Sequence, residues 1–389
     1  MALLDDAADL LPALASAHRD RPRVDDAPSI QTLYWGAHRF AAETLAQIGD
    51  DARAVWAEAA PDAAALARIL GWPADDVAEH VHAAVARKLA HEPVEDIRID
   101  FEDGYGPRTD AEEDATATAT GTAAGRCAMP RRFGIRIKPL TPELAPRAIA
   151  TLDRFTTALV ESAHGFPRGF VLTVPKVTSP DQCRVAVELL ARLERTLGLA
   201  DGSIALEIMI EVPQALFDGQ GRLVLPALVA ASGPRLVGVH LGVYDFTAAW
   251  EVPALFQSMA HPACDFVRAL VRATCSGTGL VLSAGSTNVL PVPGHVEASW
   301  RRSHDEIRHV LVDGWYHGWD LHAGQLPVRY ATNIRFYREG LPAALARLRA
   351  YTQASEGAAT LDDAPTIAAL QAFVRRATAC GAAEAHELG

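Results

Sequence analysis

Residues Glu207–Asp245 read EIMIEVPQALFDGQGRLVLPALVAASGPRLVGVHLGVYD. An apolar run closes on Glu211, a polar and helical passage follows, and a second apolar run ends near Asp245. Short apolar runs joined by a helix-length connection predict parallel strands, because parallel neighbours need a crossover between them. Two carboxylates at the ends of two such strands make a seat for a hard divalent cation.

The same rhythm extends in both directions. Strand-like runs occur at Ile30–Trp35 (IQTLYW), Asp96–Phe101 (DIRIDF), Phe133–Ile137 (FGIRI), Gly169–Val174 (GFVLTV), Ile204–Ile210, Arg235–Leu241, Gly279–Ser283 (GLVLS) and Gly318–Leu321. Helical patterns lie between most of them, at Pro142–Ser162, Pro180–Leu197, Pro262–Thr274 and Val296–Val312. Eight alternating units most simply close into an α/β (β/α)8 TIM barrel. An open doubly wound sheet is the alternative, but no GxGxxG follows the first strand.

Three additions decorate this frame. Residues 1–28 predict a short helix and a Pro/Asp-rich lead-in ahead of a barrel over 29–330. Ala41–Ala90 is a helical insertion after the first strand, broken at Pro61 and Pro73, and 331–389 form a C-terminal helical extension, with helices expected at Ile334–Gln353 and Thr366–Thr378. The low-complexity Ala115–Gly125 follows the acidic DAEEDA, a favourable first helical turn, and predicts a helix that frays near Gly121.

At 389 residues and 49% hydrophobic the chain can bury a large core. A net charge of −12 argues against nucleic acid or an anionic membrane as partner. Five cysteines without a CxxC pair fit a reducing compartment rather than a disulfide framework or a zinc site. The first residues lack the basic segment of a secretory signal, and no apolar run is long enough to span a bilayer. The expectation is a cytoplasmic protein.

Working residues of such barrels cluster at the C-terminal ends of the strands. Those ends carry Asp100, Glu102 and Asp103, then Arg136 and Lys138, Lys176, Glu211, Asp245 and His322. Adjacent strands lie roughly 4.8 Å apart, so Glu211 and Asp245 could reach one ion. Mg²⁺ needs only one or two protein carboxylates when a chelating 2-oxo or 2-hydroxy acid and water complete its shell. The planar fork of Arg136 suits bidentate capture of a substrate carboxylate. Plainer roles compete with each of these. Glu207 points with Glu211, so one of the two could serve a buried polar network. Asp245 could cap a helix, Asp103 could serve a turn, and Arg136 could neutralise Asp100 or Glu102. His322 fits a satisfied core histidine, and Lys176 a Schiff-base lysine as in class I aldolases.

With those residues in view, the chain resembles the aldolase/citrate lyase β-subunit family, the HpcH/HpaI and CitE-like group of the phosphoenolpyruvate/pyruvate barrel superfamily. Thr32–Phe40 (TLYWGAHRF) resembles that family's first strand and the turn bearing its arginine, here Arg39. Asp100–Tyr105 (DFEDGY) is similar to D-x-E-D, Ile135–Leu140 (IRIKPL) to V-R-I-N-P-L, and Val174–Val177 (VPKV) to L-P-K-V. Ile210–Ala215 (IEVPQA) resembles I-E-T-x-x-G, Leu241–Phe246 (LGVYDF) resembles F-G-x-x-D-L, and Leu321–Gln325 (LHAGQ) resembles I-H-P-x-Q. Departures cluster around the mouth. Val-Pro-Gln follows Glu211 where Thr and later Gly are usual, Lys138 stands for Asn, and Ala323 stands for Pro. An atypical subfamily with its own substrate follows.

The resemblance implies a Mg²⁺-dependent (or Mn²⁺-dependent) carbon–carbon lyase or aldolase that acts on a 2-oxo or 2-hydroxy acid, or its CoA thioester, through an enolate. Glu211 and Asp245 would be the metal ligands. Arg136, Lys138, Lys176 and Arg39 would meet substrate, and Asp100, Glu102 and Asp103 would support the chemistry beside Arg136. The general base stays open between Glu102, a water on the metal, and a group from a neighbouring subunit. A homo-oligomer, trimer or hexamer, is expected. A malyl-type thioester hydrolase and a catalytically inactive barrel with an assembly role are the other readings.

Overall fold

The computed structural model describes residues 29–163, 165–352 and 363–388, so the helix expected within 1–28 lies outside the described residues. Strand β1 (Gln31–Gly36) is followed by α1 (Thr44–Ala59), α2 (Ala63–Leu70) and α3 (Asp76–His91). Then β2 (Asp96–Asp100) leads to α4 (Asp110–Arg126), β3 (Arg132–Arg136) to α5 (Ala145–Ser162), and β4 (Phe170–Val174) to α6 (Pro180–Thr196). Next, β5 (Ala205–Ile210) leads to α7 (Leu225–Ser232), and β6 (Leu236–Leu241) to α8 (Val243–Ala249) and α9 (Pro262–Cys275). Finally β7 (Val281–Ser283) leads to α10 (Val296–Val312) and β8 (Gly318–Asp320) to α11 (Leu326–Thr352), with α12 (Ala364–Ala379) last.

The eight strands are hydrogen-bonded in the order β7-β6-β5-β4-β3-β2-β1-β8, every pair parallel. The two ends of that order meet through a Ser283–His317 bridge. The Ala284 N–H donates to the His317 carbonyl at 2.9 Å, and the Trp319 N–H to the Gly285 carbonyl at 3.0 Å. The sheet is therefore a (β/α)8 barrel, and each strand lies within two residues of its expected position.

Period-two alternation divides each strand between two environments. Ile97, Ile99, Phe133, Ile135, Leu172 and Ile208 face outward and join the helices in one continuous core. The alternate residues face the barrel axis, and many are polar yet buried: Thr32, Asp96, Arg98, Thr173, Glu207, His240, Ser283 and His317. Buried polar groups persist only when paired. Arg98 meets that demand by bonding Glu207 twice, at 2.7 and 3.0 Å, and pairing with Asp96. Glu207 is thus the member of the Glu207/Glu211 pair that serves the buried network.

Three elements differ from expectation. Helix α4 runs unbroken through Gly121, because a side chain there would meet the Phe155 carbonyl at 2.3 Å. The glycine lets α4 settle on α5 instead of ending the helix. Helix α11 begins at Leu326 rather than Ile334, since the LHAGQ turn starts it. In that turn the Gln325 side chain accepts from the N–H groups of Leu321 and His322 at 2.8 and 3.1 Å. His322 Nδ1 accepts from the Gly324 N–H at 3.0 Å, so the histidine works as a cap. Lastly, β6 stops at Leu241, and Asp245 sits on the first turn of α8 rather than on the strand.

Among the described residues no helix is long and apolar enough to cross a membrane.

Candidate active site

The mouth of the barrel is built by the segments leaving β1 to β6 and β8. A cavity of about 310 Å³ opens there, with Tyr34, Arg136 and Trp319 among its walls and Arg39, Asp103, Tyr244 and Asp245 around it. Asp100, at the end of β2, accepts from Arg136 Nε at 2.7 Å and from a second Arg136 nitrogen at 2.6 Å. It also accepts from the N–H groups of Glu102 and Gly104 at 3.0 and 2.8 Å, which folds the DFEDGY turn back over the barrel. The third face of the Arg136 fork lies 3.1 Å from Glu102 Oε2. Arg136 also lies over the Tyr34 ring, 4.9 Å from its centroid. Its Nε and one terminal nitrogen are committed to Asp100, and the other terminal nitrogen lies against Glu102 and donates to Met209 Sδ at 3.7 Å.

Lys176 follows β4 and Pro175 with φ at +49°, a left-handed conformation that is uncommon without glycine. Its N–H donates to Glu211 Oε1 at 2.6 Å. Its ammonium pairs with Glu102 and lies 3.4 Å from Asp103 Oδ2 and 3.7 Å from Asp245 Oδ2. Glu211 itself is buried directly after β5. A side chain at Gly242 would come within 2.3 Å of Glu211 Oε2, so the absent Cβ leaves room for that carboxylate at the mouth.

Electrostatics sets these acids apart. Burial pushes the Glu211 carboxyl up to about 8, more than Lys176 and Arg136 offset, with Glu102 and Asp245 adding repulsion. Burial also raises Glu102, against Arg136 and Lys176. Asp103 is lowered: burial opposes this, but Arg136 and hydrogen bonding from Glu102 outweigh it. Both Arg136 and Lys176 are held more firmly protonated, because their carboxylate neighbours overcome the cost of burial. A Schiff-base role needs a neutral amine, which this setting of Lys176 opposes.

Of the residues expected from the sequence, Asp100, Glu102, Asp103, Arg136, Lys176, Glu211 and Asp245 come together. Arg39 joins them at the cavity wall, stacked on the Trp35 ring at 3.6 Å. Lys138 does not. It turns away to Glu113 Oε2 of α4 at 2.6 Å and the Phe101 carbonyl at 2.9 Å. Tyr34, Tyr244, Trp319 and Leu321 line the cavity without having been singled out. The inward parity of Tyr34, two residues from Thr32 on β1, is the signal that would have found the first. A shared hydrogen bond of 3.0 Å fixes the Tyr34 hydroxyl to His240 Nδ1.

Domain of unknown function DUF6986 matches residues 16–389. The chain belongs to the DUF6986 family. No curated protein sequence matches it. Among solved structures, this DUF6986 chain is similar to a citrate lyase from Burkholderia xenovorans LB400, with a TM-score of 0.57 and 20% identity over 79% of this chain and 90% of that one. It is also similar to the Haloferax volcanii malate synthase, with a TM-score of 0.50 and 18% identity over 90% of both chains. At such identities the likeness is one of fold, and it matches the (β/α)8 architecture read from the sequence.

Two other features of the DUF6986 chain lie outside the mouth. An open groove of about 1350 Å³ runs past Arg68, Leu255, Phe256, Glu297 and Arg301 but touches none of the mouth carboxylates. Asp265, His309 and Asp313 bring ligand-type atoms within 4.8 Å of one another on the helical shell. There the Asp265 carboxylate is already engaged by Arg268 and by His309 at 2.8 Å. The mouth cavity is the smaller of the two, and the buried Asp100 and Arg136 line it together with the Tyr34 and Trp319 rings.

Proposed function

We propose that the protein is a divalent-cation-dependent carbon–carbon lyase of the aldolase type. It acts on a 2-oxo or 2-hydroxy acid, free or as its CoA thioester. The observation that carries this reading is Glu211, a carboxyl buried at the barrel mouth whose Oε1 accepts the Lys176 N–H at 2.6 Å, while the ammonium of that lysine lies 3.7 Å from Asp245. Asp100, Glu102, Asp103, Glu211 and Asp245 outnumber Arg39, Arg136 and Lys176, so the mouth as a whole favours added positive charge.

Glu211 and Asp245 are the residues that would hold Mg²⁺ or Mn²⁺. A cation held by these two carboxylates would supply Lewis-acid polarisation of a substrate carbonyl oxygen. The remaining roles fall to the chain itself. Arg39 makes no ion pair with any described residue and lines the cavity, so its fork is the one open to a substrate carboxylate. Arg136, locked on Asp100, gives the cavity a fixed positive wall. Tyr34, held by His240, packs against Trp319 with ring centroids 4.7 Å apart, and the pair gives the cavity an aromatic wall. Glu102, raised by burial and bridged to both cations, is the carboxylate best placed to move a proton.

The shared fold of a citrate lyase and a malate synthase supports the reading. Its test is metal analysis together with pyruvate and glyoxylate release by the wild type, Glu211→Gln and Asp245→Asn. Both variants are expected to lose Mg²⁺ and turnover. Unchanged Mg²⁺ affinity in both would remove the site.

A further inference from the structure

We propose that the Lys176 ammonium is a built-in competitor of the divalent cation, occupying the carboxylate ring when the ion is absent and having to leave before the ion can settle. The inference rests on the reading of Glu211 and Asp245 as the cation's ligands. Lys176 addresses the ring twice. Its N–H, at 2.6 Å from Glu211 Oε1, fixes one oxygen of that carboxylate. Its ammonium pairs with Glu102 and stands 3.4 and 3.7 Å from Asp103 and Asp245. Asp245 thus faces the ammonium and Glu211 the N–H of the same lysine, so both proposed ligands of the cation are engaged by Lys176.

The backbone supports the same account. Lys176 holds φ at +49°, a left-handed conformation uncommon outside glycine. Here that conformation lets one residue point its N–H at Glu211 and its side chain at Glu102. The side chain is 27% exposed, so the ammonium has a route to solvent along its flexible stem. The Glu102 carboxylate has two cations against it, Arg136 and Lys176, and only Lys176 has a flexible stem with which to withdraw. A dication entering the ring can replace the lysine as counter-charge to Glu102 and Asp245, whereas both cations together would repel across the ring.

A merely structural salt bridge and a competitor predict opposite signs. If Lys176 only organises the mouth, its loss loosens the acids and weakens the ion. If it competes, its loss tightens the ion. The affinity of Mn²⁺, added as its chloride, is measured by isothermal titration calorimetry on the full chain as wild type, Lys176→Met, Lys176→Arg and Glu211→Gln. Met keeps the length and backbone of the lysine without its charge, and Arg keeps the charge. Lys176→Met is expected to bind Mn²⁺ roughly tenfold tighter or more, Lys176→Arg about as the wild type does, and Glu211→Gln more weakly. Equal or weaker binding by Lys176→Met, with Glu211→Gln still impaired, overturns the competitor while leaving the cation site intact. Unchanged binding by Glu211→Gln removes the cation site instead. A second readout uses the wild type alone: acetic anhydride labelling of Lys176, followed by peptide mass spectrometry, rises on adding Mn²⁺ if the ammonium is expelled. Labelling that Mn²⁺ leaves unchanged, at concentrations where calorimetry shows the ion bound, overturns the proposal.

Discussion

Arg136 turns its planar fork onto Asp100, with Nε 2.7 Å from Oδ1 and a terminal nitrogen 2.6 Å from Oδ2, and both residues are buried. Asp100 holds two turn N–H groups as well, so it joins β2, β3 and the DFEDGY turn. Asp100→Ala would leave a guanidinium buried without its main partner. Breaking such a pair costs about 3–5 kcal/mol. The expected outcome is a urea midpoint lowered accordingly, read from equilibrium unfolding. A change under about 1 kcal/mol would mean that the pair is dispensable.

The strands were legible because their outer faces are apolar and punctuated by turns, and the helices because their apolar faces recur at helical spacing. The ring of acids was legible because the C-terminal ends of barrel strands gather the working groups. Contacts between distant segments were not. Nothing local to Gly121 announces that Phe155 lies 2.3 Å from where its Cβ would be. Lys138 shares strand-end parity with Arg136, but β3 stops at Arg136, and two residues later the chain has turned the side chain toward Glu113. Arg98 was the more readable miss. A charge between Asp96 and Asp100 in a run otherwise apolar marks an inward face that must carry its own counter-ions.

That inward face makes a second test. Arg98 and Glu207 cross the barrel axis region from β2 to β5, fully buried, with Thr173 bonded to both. Glu207→Met alone should destabilise by about 3–5 kcal/mol, since it strands a buried guanidinium. Replacing both residues by Met should recover much of that loss, because an apolar pair of similar volume removes the desolvation cost as well. Thermal unfolding of Arg98→Met, Glu207→Met and the double Met variant gives the coupling directly. Additive losses would mean that the pair is not a unit.

Gly121 offers a case in which packing and helix propensity disagree. Alanine in an exposed helix interior gains about 1 kcal/mol over glycine. Here its Cβ would meet the Phe155 carbonyl at 2.3 Å and the Ala158 Cβ at 3.1 Å. Backbone cannot yield as a side-chain tip can, so overpacking of about 1–3 kcal/mol should prevail. Gly121→Ala is expected to lower the melting temperature. A rise would show that α4 and α5 separate without penalty.

His304 supplies the pH dependence. It sits on α10 between the insertion and the C-terminal extension, where the Trp72 indole N–H donates to its Nε2 at 3.1 Å and its Nδ1 shares a 3.0 Å bond with the Thr332 hydroxyl. With Nε2 an acceptor, the ring is neutral and Nδ1 donates. Burial lowers its affinity for a proton to about 4, helped by Arg308, Arg301 and Arg335. Between about 6.5 and 4 the unfolded chain takes up a proton that the folded chain refuses, so stability falls as the pH falls through that window. The loss is on the order of 3 kcal/mol and complete below about 4. His304→Gln should lower stability at pH 7 yet show a shallower decline toward acid, in urea titrations at matched pH values. Parallel decline in both proteins would assign the acid sensitivity to the carboxylates instead.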